Sequence, residues 1–299
     1  MTDEHDEVSI QDLACRLGVQ TAPDFEVHRT ELTLDSGGTL SALRWGAGEP
    51  EVVLIHGGGQ NAHTWDAVAV ALGAPALAVD LPGHGHSSWR EDRDYWPWTN
   101  AAALEQAVAG KAPRAKVIVG MSLGGLTAIR LRALRPDLVR RLILVDVTPS
   151  SGERFLSLSA EGRGSISLID DDPTFGTFED MFLAVHRTVP DRDPEVLRRG
   201  VGYNARQLGD GRWRWRYDDL RGVTGRADFS RLWADLDSVR SPVVLAVAEH
   251  AGIVTAGDEA AFLAATVNGS IVHFDTSDHS VQSVFPVELA ELIRTQLDF

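Results

Sequence analysis

The sequence predicts an α/β fold: a mainly parallel sheet of eight strands flanked by helices and interrupted by one large insertion. Three observations carry this. Six short apolar runs recur along the chain, continuous rather than alternating, as suits strands covered on both faces. Helical stretches such as GLTAIRLRALRP and DEAAFLAAT separate several of them, the alternation expected of a parallel sheet between helical layers. The rhythm then fails between Val147 and Pro242, an interval too long for a structureless loop and therefore read as an inserted subdomain.

The elements follow in order. Residues 1–24 read as an amphipathic arm, with Val8, Ile10, Leu13 and Leu17 roughly on one face and Gly18 placed to end the helix. VHRTELTL and TLSALRW, separated by the turn DSGG, read as two strands of a hairpin. EVVLI, PALAV, KVIV, LILV, PVVLAV and IVHF are the six buried runs. Within the insertion, FEDMFLAVHRTV and DPEVLRRGVGYNARQL look helical, with Asp193-Pro194 as a helix start, and RWRWRYDDL suits a half-buried strand or an extended flap. The expected division is an arm over 1–24, a core over 25–148 and 237–299, and the insertion over 149–236.

Composition narrows the function. With 28 basic against 43 acidic residues the net charge is −15, which argues against nucleic acid and against anionic membrane surfaces. No apolar run approaches the ~18 residues that span a bilayer. Cys15, the single cysteine, has no internal disulfide partner, and the acidic start MTDEHDEVSI lacks the marks of a signal peptide. The expectation is a cytoplasmic protein acting on a small molecule, with a homodimer left open and no cofactor or metal.

Three stretches carry chemistry. VIVGMSLGG places Ser122 between glycines at a turn from strand to helix, where only small neighbours tolerate the sharp backbone and the following helix N-terminus favours negative charge. LIHGGGQNAHTW follows another predicted strand, and its glycines let the backbone approach a developing oxyanion. Gly58 is the candidate donor, Gly59 the runner-up, and the N–H of Leu123 the second donor. FDTSDHSVQS sets His279 in a loop after the last strand, where a base could reach Ser122. Of the other histidines, His5, His28, His186 and His273 read as surface or strand residues, and His84 and His86 as parts of a Gly-rich loop.

In their order HGGG, DLPGHGHS (Asp80 to Ser87), GMSLGG, LVDVTP and DHSVQSVFPVELAELI, from about residue 25 to the C-terminus, the chain resembles the α/β-hydrolase family, and within it the capped esterase-like members. The resemblance implies Ser122 as nucleophile, His279 as base and a mainly helical cap over 149–236. It also exposes a departure. Many members carry an aspartate just past the strand that here reads LAVAEHAGIVTAGD, and Ala251 stands in its place. Three readings are open: Asp146 in LILVDVTP supplies the acid, Glu249 swings in, or the acid has been removed at Ala251. Asp146 is favoured by its place at the C-terminal edge of a strand, although an acid there can also serve only to bind loop backbone.

The expected activity is hydrolysis of an ester, thioester or lactone of a small to medium, largely apolar substrate through an acyl-enzyme. The alternatives are a carbon–carbon bond hydrolase, a cofactor-free lyase or oxygenase, and a catalytically impaired ligand-binding protein. Apolar surface is expected from Phe155, Phe175, Phe178, Phe182, Trp213, Trp215, Tyr217 and Trp233 of the insertion. Gly59, Trp65, Met121, Phe182 and Trp213 are the candidate substrate contacts. The arginines around RWRWR read either as the solvated face of a strand or as partners for a substrate carboxylate.

Overall fold

The computed structural model describes residues 9–157, 174–190, 192–218 and 228–298, the side chains of 155–157 excepted. His5, Val8, the Phe155 side chain and positions 219–220 of the predicted flap therefore lie outside the described residues. The strands are β1 (Val27–Thr33), β2 (Thr39–Trp45), β3 (Val52–Ile55), β4 (Ala76–Val79), β5 (Val117–Met121), β6 (Leu142–Val145), β7 (Ala205–Gln207), β8 (Trp213–Trp215), β9 (Val243–Ala248) and β10 (Gly269–Phe274). The helices are α1 (Ile10–Leu17), α2 (Asp66–Leu72), α3 (Pro97–Lys111), α4 (Leu123–Leu134), α5 (Pro149–Ser157), α6 (Phe178–His186), α7 (Pro194–Asn204), α8 (Ser230–Asp237), α9 (Ala256–Ala265), α10 (Val281–Val284) and α11 (Pro286–Leu297).

Each central strand sorts its side chains by parity. In β3, Val53 and Ile55 enter one core cluster while Val52 and Leu54 enter the other, on the opposite face. The same division holds for Leu77 and Val79 against Ala76 and Ala78, and for Leu142 and Leu144 against Ile143 and Val145. Two buried faces explain why these runs are continuously apolar. The eight strands form one sheet in the order β1-β2-β4-β3-β5-β6-β9-β10. β1–β2 and β2–β4 pair antiparallel, and the remaining pairs are parallel. β10 differs from its expected double burial: at the sheet edge only Phe274 of its six residues is buried.

The predicted arm helix starts at an N-cap Ser9 and stops at Gly18 with φ 67°, and its Ile10, Leu13 and Ala14 join the core face that also holds α2 and α11. In the insertion, Thr177 and Asp180 form a capping box at the start of α6, and Asp193 caps α7 through the N–H groups of Glu195 and Val196. α6, α7 and the antiparallel β7–β8 hairpin enclose a small core of their own around Met181, Phe182, Leu197 and Trp215. The described part of the insertion is mainly helical, and the stretch read as a half-buried strand supplies β8 of the short hairpin. The insertion's last helix behaves differently again: Phe229, Leu232 and Leu236 pack into the main core, because α8 lies along α4.

Leu54 is wholly buried in the middle of the sheet. Leu54→Ala is expected to lower the unfolding free energy by about 2–5 kcal/mol in urea titration. Val196→Ala, at a site 53 % exposed, should stay within about 0.5 kcal/mol of the unmodified chain. Equal effects of the two would deny β3 its central place.

Candidate active site

Ser122 has φ 50° and ψ −118°, a conformation that non-glycine residues rarely hold, at the junction of β5 and α4. Its neighbours permit the turn. A Cβ on Gly120 would meet the Gly124 carbonyl oxygen at 2.6 Å, and one on Gly124 would collide with the carbonyl oxygens of Ile55 and His56. The helix therefore starts almost in contact with β3 and β5, leaving Ser122 half-exposed at the sheet edge.

The glycine loop after β3 lies alongside. The Gly57 N–H donates to Gln60 Oε1 at 3.0 Å, and the Gly59 N–H donates to His84 Nε2 at 3.1 Å. The Gly58 N–H takes no such partner among the described residues, so of the three glycines it is the donor left for a ligand. Two buried imidazoles brace the loop. His84 Nδ1–H donates to the Pro82 carbonyl, and burial followed by the neighbouring His56 pushes its pKa down to about 3. A neutral ring is what allows its Nε2 to accept from Gly59. His56 repeats the pattern, donating from Nδ1 to the Gly57 carbonyl and accepting the Leu81 N–H at Nε2, and burial lowers its pKa as well.

Of the candidate acids, Asp146 is the one in contact with His279. Asp146, wholly buried just past β6, accepts from His279 Nδ1 at 2.7 Å through Oδ2. Its Oδ1 accepts the Ala248 N–H at 3.1 Å. The carboxylate thus ties down loop backbone and holds the histidine at once. With the Nδ1 proton turned to Asp146, Nε2 is the basic nitrogen. Glu249 is exposed beyond β9, and Ala251 is half-buried against apolar neighbours.

Residues that the sequence reading passed over hold the histidine loop. Gln60 links it to the glycine loop by donating to Ser280 Oγ at 3.4 Å. Asp278 accepts from the Ser280 N–H at 2.8 Å and from Arg192 Nε of the insertion at 2.9 Å. Burial pushes the Asp278 carboxyl up, but Arg192 and the Ser280 N–H together hold it below the usual carboxylate range. The available signals were an amide directly after a glycine triplet and an aspartate directly before the histidine.

Other expected contacts fall elsewhere. Trp65 is wholly buried and packs in the core face beneath α2. Phe182 lies in the insertion's own core, stacked on His186 and covered by the Arg198 guanidinium at 4.1 Å. Trp213 is half-buried against Phe178, with ring centroids 5.4 Å apart. Gly59 spends both backbone groups on protein, its carbonyl accepting from Asn204 Nδ2 at 2.8 Å. Met121 stays beside the serine, its sulfur against the Gly57 backbone. Among the described residues no cluster of acidic, histidine or cysteine side chains has a metal-binding arrangement, and no helix is long and apolar enough to cross a membrane.

Comparison with known proteins bears on the family and the fold. Residues 52–292 match the profile described as the alpha/beta hydrolase family. The chain is 49 % identical over 274 residues to the esterase Rv0045c of Mycobacterium tuberculosis, covering 91 % of this chain and 89 % of that one. A solved structure of that esterase superposes with a TM-score of 0.85 over 97 % of both chains. The lipase LipV of the same organism is 29 % identical over 277 residues, 86 % of this chain and 97 % of that one.

One buried carboxylate supports the whole face. Asp80 accepts from the Ala62 and His86 N–H groups at 2.7 and 3.1 Å and from Arg29 at 3.0 Å. Burial raises its pKa, but Arg29, His56 and the two amides outweigh that and hold it below the usual range. A depressed folded-state pKa gives stabilisation that is complete above the unfolded value of ~3.9 and is lost as pH falls through the folded one. Asp80→Asn is expected to cost about 3 kcal/mol at pH 7. The gap from the unmodified chain should narrow steadily in denaturant titrations carried below pH 4, and a gap independent of pH would show that the charge is not what stabilises.

Proposed function

The chain belongs to the α/β-hydrolase family, and from that premise we propose that it is a serine hydrolase cleaving a carboxylic ester through an acyl-enzyme on Ser122. The observation that carries this is the 2.7 Å bond from His279 Nδ1 to the buried Asp146, beside a serine held at positive φ. In the proposed sequence His279 Nε2 accepts the hydroxyl proton as Ser122 Oγ attacks the ester carbonyl. The N–H groups of Gly58 and Leu123 receive the oxyanion. His279 returns the proton to the departing alcohol, then takes one from the attacking water and delivers it to Ser122 Oγ as the acyl–oxygen bond breaks and the acid leaves. Asp146 keeps the ring in the working tautomer and balances the transient imidazolium.

The segment 149–236 acts in this reading as a cap. Its support is the separate core of α6, α7 and the hairpin, together with polar contacts to the site loops through Asn204 and Arg192. Its aromatic residues suit an apolar acyl or alcohol group. The motive for reading the chain as an impaired enzyme disappears, since the histidine has its carboxylate without help from position 251.

Fluorophosphonate labelling with peptide mapping is expected to mark Ser122, and Ser122→Ala should abolish both labelling and turnover of p-nitrophenyl esters. Asp146→Asn should lower kcat by about 10²-fold or more, because the amide can stabilise the wrong tautomer. Glu249→Gln and Ala251→Asp should each change kcat less than threefold. A large loss with Glu249→Gln, or a large gain with Ala251→Asp, would place the acid after β9 instead.

A further inference from the structure

Arg206 and Arg214 face each other as a registered cross-strand pair of the β7–β8 hairpin. Both guanidinium carbons lie over the ring of Trp89, at 4.5 and 4.7 Å from its centroid. Like charges directly opposite on a hairpin are unfavourable, and this chain has 43 acidic residues against 28 basic ones with which to relieve them. Other arginines of the insertion are relieved: Arg192 pairs with Asp278, Arg198 with Glu179 and Arg212 with Asp210. Arg206 and Arg214 have no carboxylate partner among the described residues, and the Nε of each is buried without a hydrogen-bond partner. Burial first, then Arg214 and Arg216, push the Arg206 guanidinium below its usual range. The nearby Asp218 opposes that shift, but its carboxylate is engaged by the Tyr95 hydroxyl at 2.6 Å.

The position of the pair is as telling as its charge. Alternation along β8 turns Trp213 and Trp215 into the insertion's core and Arg214 to the other face, toward the loop that carries Trp89. That loop is fixed from the hairpin side, where Trp89 Nε1 donates to the Arg216 carbonyl at 3.3 Å. Asn204, which donates to the Gly59 carbonyl, precedes Arg206 by two residues, a span of roughly 7 Å of chain. At the same open end of the hairpin, just past β8, Tyr217 lies 6.3 Å from His84, the acceptor of the Gly59 N–H. Two half-buried guanidinium groups, oriented by one aromatic face, therefore stand at the junction of insertion and core, close to the glycine loop.

We propose that Arg206 and Arg214, on the Trp89 platform, form a subsite for an oxyanion group, carboxylate or phosphate, carried by the substrate at the end remote from its ester. Paired guanidinium forks suit such a group, and its charge would relieve the repulsion that the hairpin otherwise carries. This deepens the proposed function and rests on Ser122 as its nucleophile.

The test compares p-nitrophenyl monoesters of glutaric and adipic acid, and an acyl-4′-phosphopantetheine thioester, with the neutral p-nitrophenyl hexanoate. In Arg206→Gln and Arg214→Gln the ratio of anionic to neutral kcat/KM is expected to fall tenfold or more, chiefly through KM, and added salt should reduce the same ratio in the unmodified enzyme. Whether the carboxylate or the phosphate arm responds identifies the source of the anion. Because each substitution removes half of a like-charge pair, Tm should not fall. Unchanged ratios in both arms, or a lowered Tm with equal losses on charged and neutral esters, would overturn the subsite. Calorimetric titration of Ser122→Ala with adipate monoamide and with 4′-phosphopantothenate separates the two proposals. Saturable binding that Arg206→Gln removes upholds the subsite even if no ester is turned over, whereas turnover of neutral esters without such binding upholds Ser122 alone.

Discussion

The register of β5 on β6 is the constraint on which the site depends. Met121 pairs with Val145 in parallel, so the next residue on each strand, Ser122 and Asp146, leaves the sheet at the same level. Both then turn through positive φ, 50° and 49°, a conformation that among the described non-glycine residues is shared only by Arg93. Strain of this kind costs of order 1–3 kcal/mol per residue and persists only where the surroundings overdetermine it. Here they do. The Ser122 N–H donates to the Val145 carbonyl at 3.3 Å, and the Asp146 N–H donates to the Ala246 carbonyl at 2.7 Å, so each bend is secured by the neighbouring strand. A one-residue slip between β5 and β6 would exchange the core faces of the strand and separate serine from carboxylate at once.

In the proposed reading, that register also accounts for an alanine where the acid commonly stands. Asp146 binds β9 through the Ala248 N–H with one oxygen and His279 with the other. A carboxylate that performs both tasks from β6 frees the loop after β9 from supplying one. Glu249 there remains exposed, its N–H donating to the Phe274 carbonyl to continue the strand pairing rather than turning its side chain inward. Position 251 can then be small and apolar, as its half-buried place against the core demands.

What could be read in advance follows from the range of the interactions. The buried strands, the serine turn and the helix start at Asp193-Pro194 leave local marks, in period, glycine spacing and capping residues. The exposure of β10 is set by its being last in the sheet order, which no run of residues encodes. The attachment of α8 to the main core depends on its meeting α4, far back in the chain. The polar contacts around the site are longer still. Gln60 reaches Ser280 across 220 positions, Asn204 reaches Gly59 across 145, and Arg192 reaches Asp278 across 86. Single polar residues in loops carry no periodic signal, so their partners appear only once the sheet has brought the loops together. Trp65 and Phe182 show the converse ambiguity: an aromatic side chain suits a site lining and a core alike, and only the assembled fold shows the bulk of each packed into a core cluster.

Those long polar contacts share one property. α6, α7 and the hairpin keep most of their apolar side chains for a core of their own, and much of what fastens them to the sheet domain is polar: Asn61 to Tyr203 and Asn204, Asn204 to Gly59, Arg192 to Asp278, and the Asp218 N–H to the Gly83 carbonyl. Hydrogen bonds to water replace such contacts at small net cost, about 1 kcal/mol each, whereas separating an apolar interface costs in proportion to its area. A unit docked in this way opens more readily than one seated on a greasy face. The partners on the sheet side are not arbitrary either. Gly59 adjoins the proposed oxyanion donor, Asp278 adjoins the histidine, and Gly83 precedes the imidazole that braces Gly59. Release of the insertion would remove supports from both loops at once, so the position of the proposed cap and the readiness of the proposed triad are coupled through the same few bonds.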